Sequence, residues 1–120
     1  MRMNALTTSL SVLGLVVLGA AFSVASAPKV KYAQVKSLLD AKCVKCHNDK
    51  RAAEGVNLSS LDAIKKSNAK GTLIVAGKPA DSKLITYVDG TKQPRMPFKA
   101  APLSAKEIAL LKSWVKSGGN

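Results

Sequence analysis

The amino-acid sequence predicts an all-α fold, and three observations carry the prediction. Apolar residues recur at helical spacing in "VKYAQVKSLLDAKC". A second helical stretch, "LSAKEIALLKSWVKSGG", closes the chain with start and stop signals of its own. Between them no pair of period-two segments offers a sheet. With 120 residues the chain holds one small domain at most.

The N-terminus, "MRMNALTTSLSVLGLVVLGAAFSVASAPK", has a positive charge at Arg2, an apolar run from Leu10 to Phe22, and small residues after it. Nothing charged falls between Arg2 and Lys29. That is the layout of an export signal peptide. Pro28 would follow a cut after Ala27 and disfavours it, so the expected leader is residues 1–25, cut after Ala25. Left uncut, Leu10 to Ala27 gives 18 residues, just long enough for a tilted membrane anchor. The domain proper is then 26–120.

In the first helical stretch Tyr32, Val35, Leu38, Leu39 and Cys43 share one face. "NDKRAAEGVN" is a polar loop in which Gly55 is free to take a positive φ. "LSSLDAIKKS" predicts a short helix with Ser59 as N-cap and Asp62 three residues on. "GTLIVAGKP" fits either a short strand or an extended connector. "PADSKLITYV" returns to helical spacing, with Leu84, Ile85 and Val88 apolar. "DGTKQPRMPFKAAP" holds three prolines and a glycine and cannot be regular. The last helix has a capping box in Ser104 and Glu107, and Leu103 and Ile108 stand where a hydrophobic staple needs them. Ile108, Leu111 and Val115 form its stripe, Leu110 and Trp114 lie beside it, and Gly118 and Gly119 end it.

The whole chain carries a net charge of +12. Losing residues 1–25 removes only Arg2 of the 19 basic residues, which leaves 18 against 7 acids, or +11. Such a surface favours acidic partners or anionic membrane faces. Nucleic acid is not expected, since aromatic residues are few and no stacking or phosphate-loop motif occurs. The bland alternative is a lysine-rich surface that only keeps the domain soluble. After the leader the aromatic residues are Tyr32, Tyr87, Phe98 and Trp114. So small a core usually needs a staple.

"LLDAKCVKCHNDK" holds both cysteines and the sole histidine of the chain in five consecutive positions, Cys43 to His47. A disulfide between Cys43 and Cys46 closes too short a loop to constrain the unfolded chain much. Structural zinc wants four ligands, and no further Cys or His follows His47. A thiol–disulfide oxidoreductase sets C-x-x-C in a βαβ context, which is missing here. C-x-x-C-H also suits covalent haem attachment. Two thiols three residues apart can form thioethers to two vinyl groups on one porphyrin edge, and the next residue projects an imidazole toward the iron. A haem would supply the missing centre of the core, and a covalent tether suits an exported chain.

With no second histidine, the sixth iron ligand must be of another kind. Met1 and Met3 belong to the leader, so Met96 in "QPRMPF" is the domain's thioether. Proline on both sides favours a stiff loop presenting one side chain, although methionine is also a common gap-filler. Lys92 and Lys99 lie close enough in sequence to ligate instead. Histidine with methionine raises the reduction potential and leaves no open position, which favours electron transfer over oxygen or peroxide chemistry.

At this point the chain resembles a class I cytochrome c, and more narrowly the small planctomycete-type cytochrome c domain. The residues that carry the likeness are "CVKCH", "GVNLSSL", "VAGKPADSKL", "RMPF" and "LSAKEIALLKSWVKSGG", in that order. The resemblance implies a class I cytochrome c-like helical fold around one covalently attached haem c, with N- and C-terminal helices crossing. It implies Cys43 and Cys46 as thioether residues, with His47 and Met96 as axial ligands. It implies a backbone carbonyl in the Ala52–Leu58 loop as acceptor for the His47 Nδ1–H. Leu58, Leu84, Pro97 and Trp114 are its expected packing residues. Two positions depart from the family's pattern: Phe98 and Ala76 stand where proline is common.

The implied role is a monomeric, non-enzymatic electron carrier, periplasmic or otherwise outside the cytoplasmic membrane, between respiratory or dehydrogenase partners. Two alternatives stand beside it. One is a dedicated haem subunit of a single oxidoreductase. The other is a haem-based gas sensor in which Met96 is displaced. Lys42, Lys45, Lys50 and Arg51 flank the cysteine motif, and Lys92, Arg95 and Lys99 flank the methionine. They either steer an acidic redox partner or belong to a generally solvated surface.

Overall fold

The computed structural model describes residues 28–120, together with Gly14 and Gly19. The expected leader or anchor therefore lies outside the described residues. Among those residues no helix is long and apolar enough to cross a membrane.

Four α-helices and two short 3-10 turns follow one another, with no strand among the described residues: α1 (Tyr32–Lys42), α2 (Leu61–Ser67), α3 (Lys83–Val88) and α4 (Ala105–Lys116), with 3-10 turns at Ala53–Gly55 and Pro79–Asp81. The fold is all-α. Helix α1 packs on α4, and Val35 and Leu39 of α1 share one core with Leu111, Trp114 and Val115 of α4, all five fully buried. The Tyr32 and Trp114 rings meet at 6.4 Å and 47°. Further bonds stitch the same ends of the helices. Asn120 accepts through its carbonyl from Tyr32 N–H at 2.7 Å and from Trp114 Nε1–H at 3.2 Å, and Val30 N–H donates to Ser117 Oγ at 3.0 Å. The Tyr32 bond satisfies an N–H group that a helix start otherwise leaves open.

Both ends of α4 form as the sequence predicts. Ser104 Oγ accepts from Glu107 N–H at 3.1 Å, and Glu107 Oε1 accepts from Ser104 N–H at 2.9 Å. At the other end Gly119 N–H reaches the Trp114 carbonyl and Gly118 N–H the Val115 carbonyl, each at 3.0 Å. That pair of bonds is a Schellman stop.

The N-cap of α2 differs from the expectation by one residue. Ser60, not Ser59, accepts from Ala63 N–H, at 3.1 Å. Ser59 is already engaged: its N–H and its hydroxyl both lie on Asn57 Oδ1, at 3.0 and 2.6 Å. A serine held in that local turn cannot also cap the helix.

The apolar "GTLIVAGKP" stretch is a connector rather than a strand. Leu73 and Ile74 are buried in it; the Lys83 and Leu84 N–H groups donate to the Thr72 and Leu73 carbonyls, each at 3.0 Å, and side chains do the rest of the pairing that a neighbouring strand would do. Asn68 receives Ile74 N–H on Oδ1 and donates Nδ2–H to Ile74 C=O, both at 2.9 Å. Ser82 Oγ accepts from Val75 N–H at 2.8 Å and donates to Lys78 C=O at 2.9 Å. Ser82, extended at φ −88° and ψ 123°, also separates the Pro79–Asp81 turn from α3, so the predicted helical stretch is broken in two.

Candidate functional site

The cysteine motif begins where α1 ends. Cys43 caps the helix by donating its N–H to Leu39 C=O at 2.9 Å. Its own carbonyl then accepts from Cys46 N–H at 3.2 Å and from His47 N–H at 3.1 Å. One oxygen thus gathers both cysteines and the histidine into a single tight turn. This is the local reason that the spacing must be short.

Asn48 seals the turn. Its Nδ2–H donates to Val44 C=O at 2.7 Å, and its Oδ1 receives Arg51 N–H at 2.8 Å and Lys50 N–H at 3.0 Å. The chain then doubles back over the motif: His47 and Ala52 form an isolated antiparallel bridge, and Leu58 N–H donates to His47 C=O at 2.9 Å. Within this returning loop Glu54 and Gly55 take φ of 55° and 73°, a left-handed bend that glycine adopts freely and glutamate at a cost of about 1–2 kcal/mol.

That bend delivers the Val56 carbonyl to His47 Nδ1 at 3.0 Å. A carbonyl can only accept, so Nδ1 carries the ring proton and Nε2 keeps its lone pair for a metal. The acceptor that the resemblance implied in the Ala52–Leu58 loop is Val56.

Cys43 and Cys46 are both free thiols and both half-buried. Burial pushes the Cys43 thiol up to about 11, so it is protonated and neutral at ordinary pH. Among the described residues no three His, Cys, Asp or Glu side chains converge, which leaves the zinc alternative without its ligands.

Met96 is half-buried against the core. The peptide bonds before Pro94 and Pro97 are both cis. The loop hangs from the last carbonyls of α3, with Lys92 N–H on Thr86 C=O and Met96 N–H on Tyr87 C=O, each at 2.9 Å. Helix α3 thereby fixes where the methionine backbone starts.

Of the four expected packing residues, Leu58 and Leu84 are buried in the core, Pro97 is half-buried, and Trp114 is completely buried. Leu58 lies next to His47 through its backbone bond. Trp114 has its described polar and ring contacts at the α1–α4 junction. Sequence reasoning missed Asn48, Asn68 and Ser82, which hold backbone by side-chain bonds. A polar residue beside a loop is the only signal they give.

The donor chemistry fits a covalently held haem: two unpaired thiols, one imidazole with a single free nitrogen, one thioether on a pinned loop, and apolar residues beside them. An all-α domain with such a motif is consistent with a cytochrome c-like fold. Residues 43–98 match the family model for Planctomycete cytochrome C, a match that supports a planctomycete-type cytochrome c domain in this chain. The matched stretch runs from Cys43 past Met96 and leaves α1 and α4 outside it. The cytochrome c family comprises haem-based electron carriers with covalent haem c. No curated protein and no solved structure matches the chain.

Proposed function

We propose that the protein is a monohaem, one-electron carrier that works on the outer side of the cytoplasmic membrane between respiratory or dehydrogenase partners. Cys43 and Cys46 would hold the haem through thioethers, and His47 and Met96 would be the ligands to its iron. The observation that carries this reading is the His47–Val56 bond, which fixes the ring tautomer and leaves Nε2 free. When bound, the haem supplies the reversible one-electron centre.

The chain's own residues do the rest. The Val56 carbonyl orients the imidazole and makes it a stronger donor. Met96 favours the reduced state relative to more basic ligands. With His47 and Met96 both given to the iron, no site would remain for a substrate, and the protein would carry electrons rather than catalyse a conversion. The exported location rests on the leader-like residues 1–25, with anchoring through Leu10 to Ala27 if they stay uncut. The excess of lysine favours partners with acidic faces, and encounter rates should fall as salt rises.

The test is the visible spectrum of protein exported from a host with c-type haem maturation, for wild type and Met96→Ala, oxidised and reduced. Sharp reduced bands, with a weak far-red band of the ferric form that disappears in the variant, are expected. Covalent haem without such a band, unchanged by the substitution, would remove Met96 as ligand and give the open-site, gas-binding reading its support.

A further inference from the structure

We infer that Phe98 is the apolar centre of a docking surface for an acidic protein, with Lys92, Arg95 and Lys99 as its cationic surround. This rests on the electron-carrier reading and names the contact that the reading leaves open. Phe98 is 57% exposed, the one large apolar side chain standing out of the core among the described residues. The domain's other aromatic side chains are half-buried or better, and Trp114 is fully buried. A chain so poor in aromatic residues has left one in water, two positions from Met96.

The surroundings of the ring fit a contact surface. Lys99 takes a φ of 54°, in the left-handed region that a lysine adopts at a cost, and its Nζ lies 5.3 Å from the ring centroid. A cation on a solvated ring holds weakly and yields readily to a partner. From Gly90 to Lys106 every charged residue is basic. Lys92, Arg95 and Lys99 are all exposed, and none of the three makes an ion pair among the described residues. The loop is pinned to α3 through the backbones of Lys92 and Met96, so little ordering is left for binding to achieve. An apolar knob inside an unpaired cationic field matches an apolar spot rimmed by carboxylates. A second copy of this chain does not match, because its own net positive charge repels.

Gold surfaces serve as the probe, coated with alkanethiols ending either in carboxylates alone or in a mixture of carboxylate and methyl groups. Haem-loaded wild type, Phe98→Ser and Lys99→Gln are compared by adsorbed mass at low and high salt. Wild type should bind the mixed surface about tenfold more tightly than Phe98→Ser, from the burial of one half-exposed ring. On carboxylate alone the two should be equal, Lys99→Gln should be weaker, and salt should release all three. Equal binding of wild type and Phe98→Ser to the mixed surface overturns the proposal. So does a Phe98-dependent dimer in sedimentation, or Phe98-dependent binding to anionic phospholipid vesicles that exceeds binding to the mixed surface. A shift of the haem absorption bands in Phe98→Ser would place the ring against the cofactor and overturn it too. Voltammetry on the same surfaces keeps the two readings apart, since a missing redox wave refutes the electron carrier while the adsorbed mass still reports the surface.

Discussion

Replacing Gly55 by alanine perturbs the loop that aims His47 without touching a ligand. Gly55 has a φ of 73°, and a Cβ added there meets nothing within 4 Å. The cost is therefore backbone strain alone, about 1–2 kcal/mol for a non-glycine residue in that region. Alanine also restricts the unfolded chain, which offsets part of this, about 0.4–1 kcal/mol. A net loss near 1 kcal/mol is expected, read as a lower urea midpoint at unchanged slope in the haem-loaded protein. Gly119→Ala is the steric comparison. Its φ is 70°, almost the same, but an added Cβ meets Ile74 Cγ2 at 2.9 Å. It should lose about 2–4 kcal/mol, since overpacking adds about 1–3 kcal/mol where Ile74 cannot yield. The strain at position 55 bears on the next carbonyl, so the His47 Nδ1–H should exchange faster with solvent in Gly55→Ala than in Gly119→Ala. A Gly55→Ala protein as stable as wild type would show that residue 55 is not left-handed in the loaded state, and the account of how His47 is aimed would fall with it.

Other outcomes follow from single contacts. Asn68→Ala strips both partners from the buried Ile74 backbone and should cost about 2–4 kcal/mol by urea unfolding, because each unpaired buried group costs about 1–3 kcal/mol. A loss below about 0.5 kcal/mol would mean water replaces the side chain at no cost. Glu107 is held below the usual carboxylate range, first by the Ser104 backbone N–H it accepts. A depressed carboxyl contributes stability above its unfolded pKa and loses it as pH falls through the folded one. Glu107→Gln keeps the capping acceptor, so its urea midpoint should vary less than that of wild type as pH falls below about 4.5, the ordinary glutamate value. An identical acid dependence in the two proteins would remove Glu107 from that balance. Trp114→Ala should cost about 3–5 kcal/mol and loosen α1 from α4, seen as faster amide exchange in both helices; a smaller loss spread evenly over the fold would contradict the packing described.

The residues that announce themselves in the sequence are those whose signal is local. The capping box of Ser104 and Glu107, the double glycine at its far end, the stripe of α1 and the five-residue thiol–imidazole cluster each depend on neighbours a few positions away. All were legible for that reason. The Ser60 cap was missed by one residue because Asn57 competes for Ser59, a contest decided by loop geometry that the pattern does not encode. The connector at Leu73 and Ile74 stayed ambiguous because an apolar run cannot say what pairs with its backbone. Asn68 pairs with Ile74 from six residues away and Ser82 with Val75 from seven, while the Leu73 carbonyl takes the Leu84 N–H. In the site itself, the motif placed the histidine but could not choose among the carbonyls from Ala52 to Leu58. Left-handed backbone at Glu54 and Gly55 makes that choice, and only the glycine is visible in advance.

The central claim is that Cys43 and Cys46 both carry one haem, and digestion of the exported protein reads it directly. Trypsin cuts after Lys42, Lys45 and Lys50, which places the two cysteines on separate peptides, Cys43–Lys45 and Cys46–Lys50. Mass spectrometry after reduction should find a single species that contains both peptides and one haem. Two separate, unmodified peptides would contradict the account, whatever the colour of the protein.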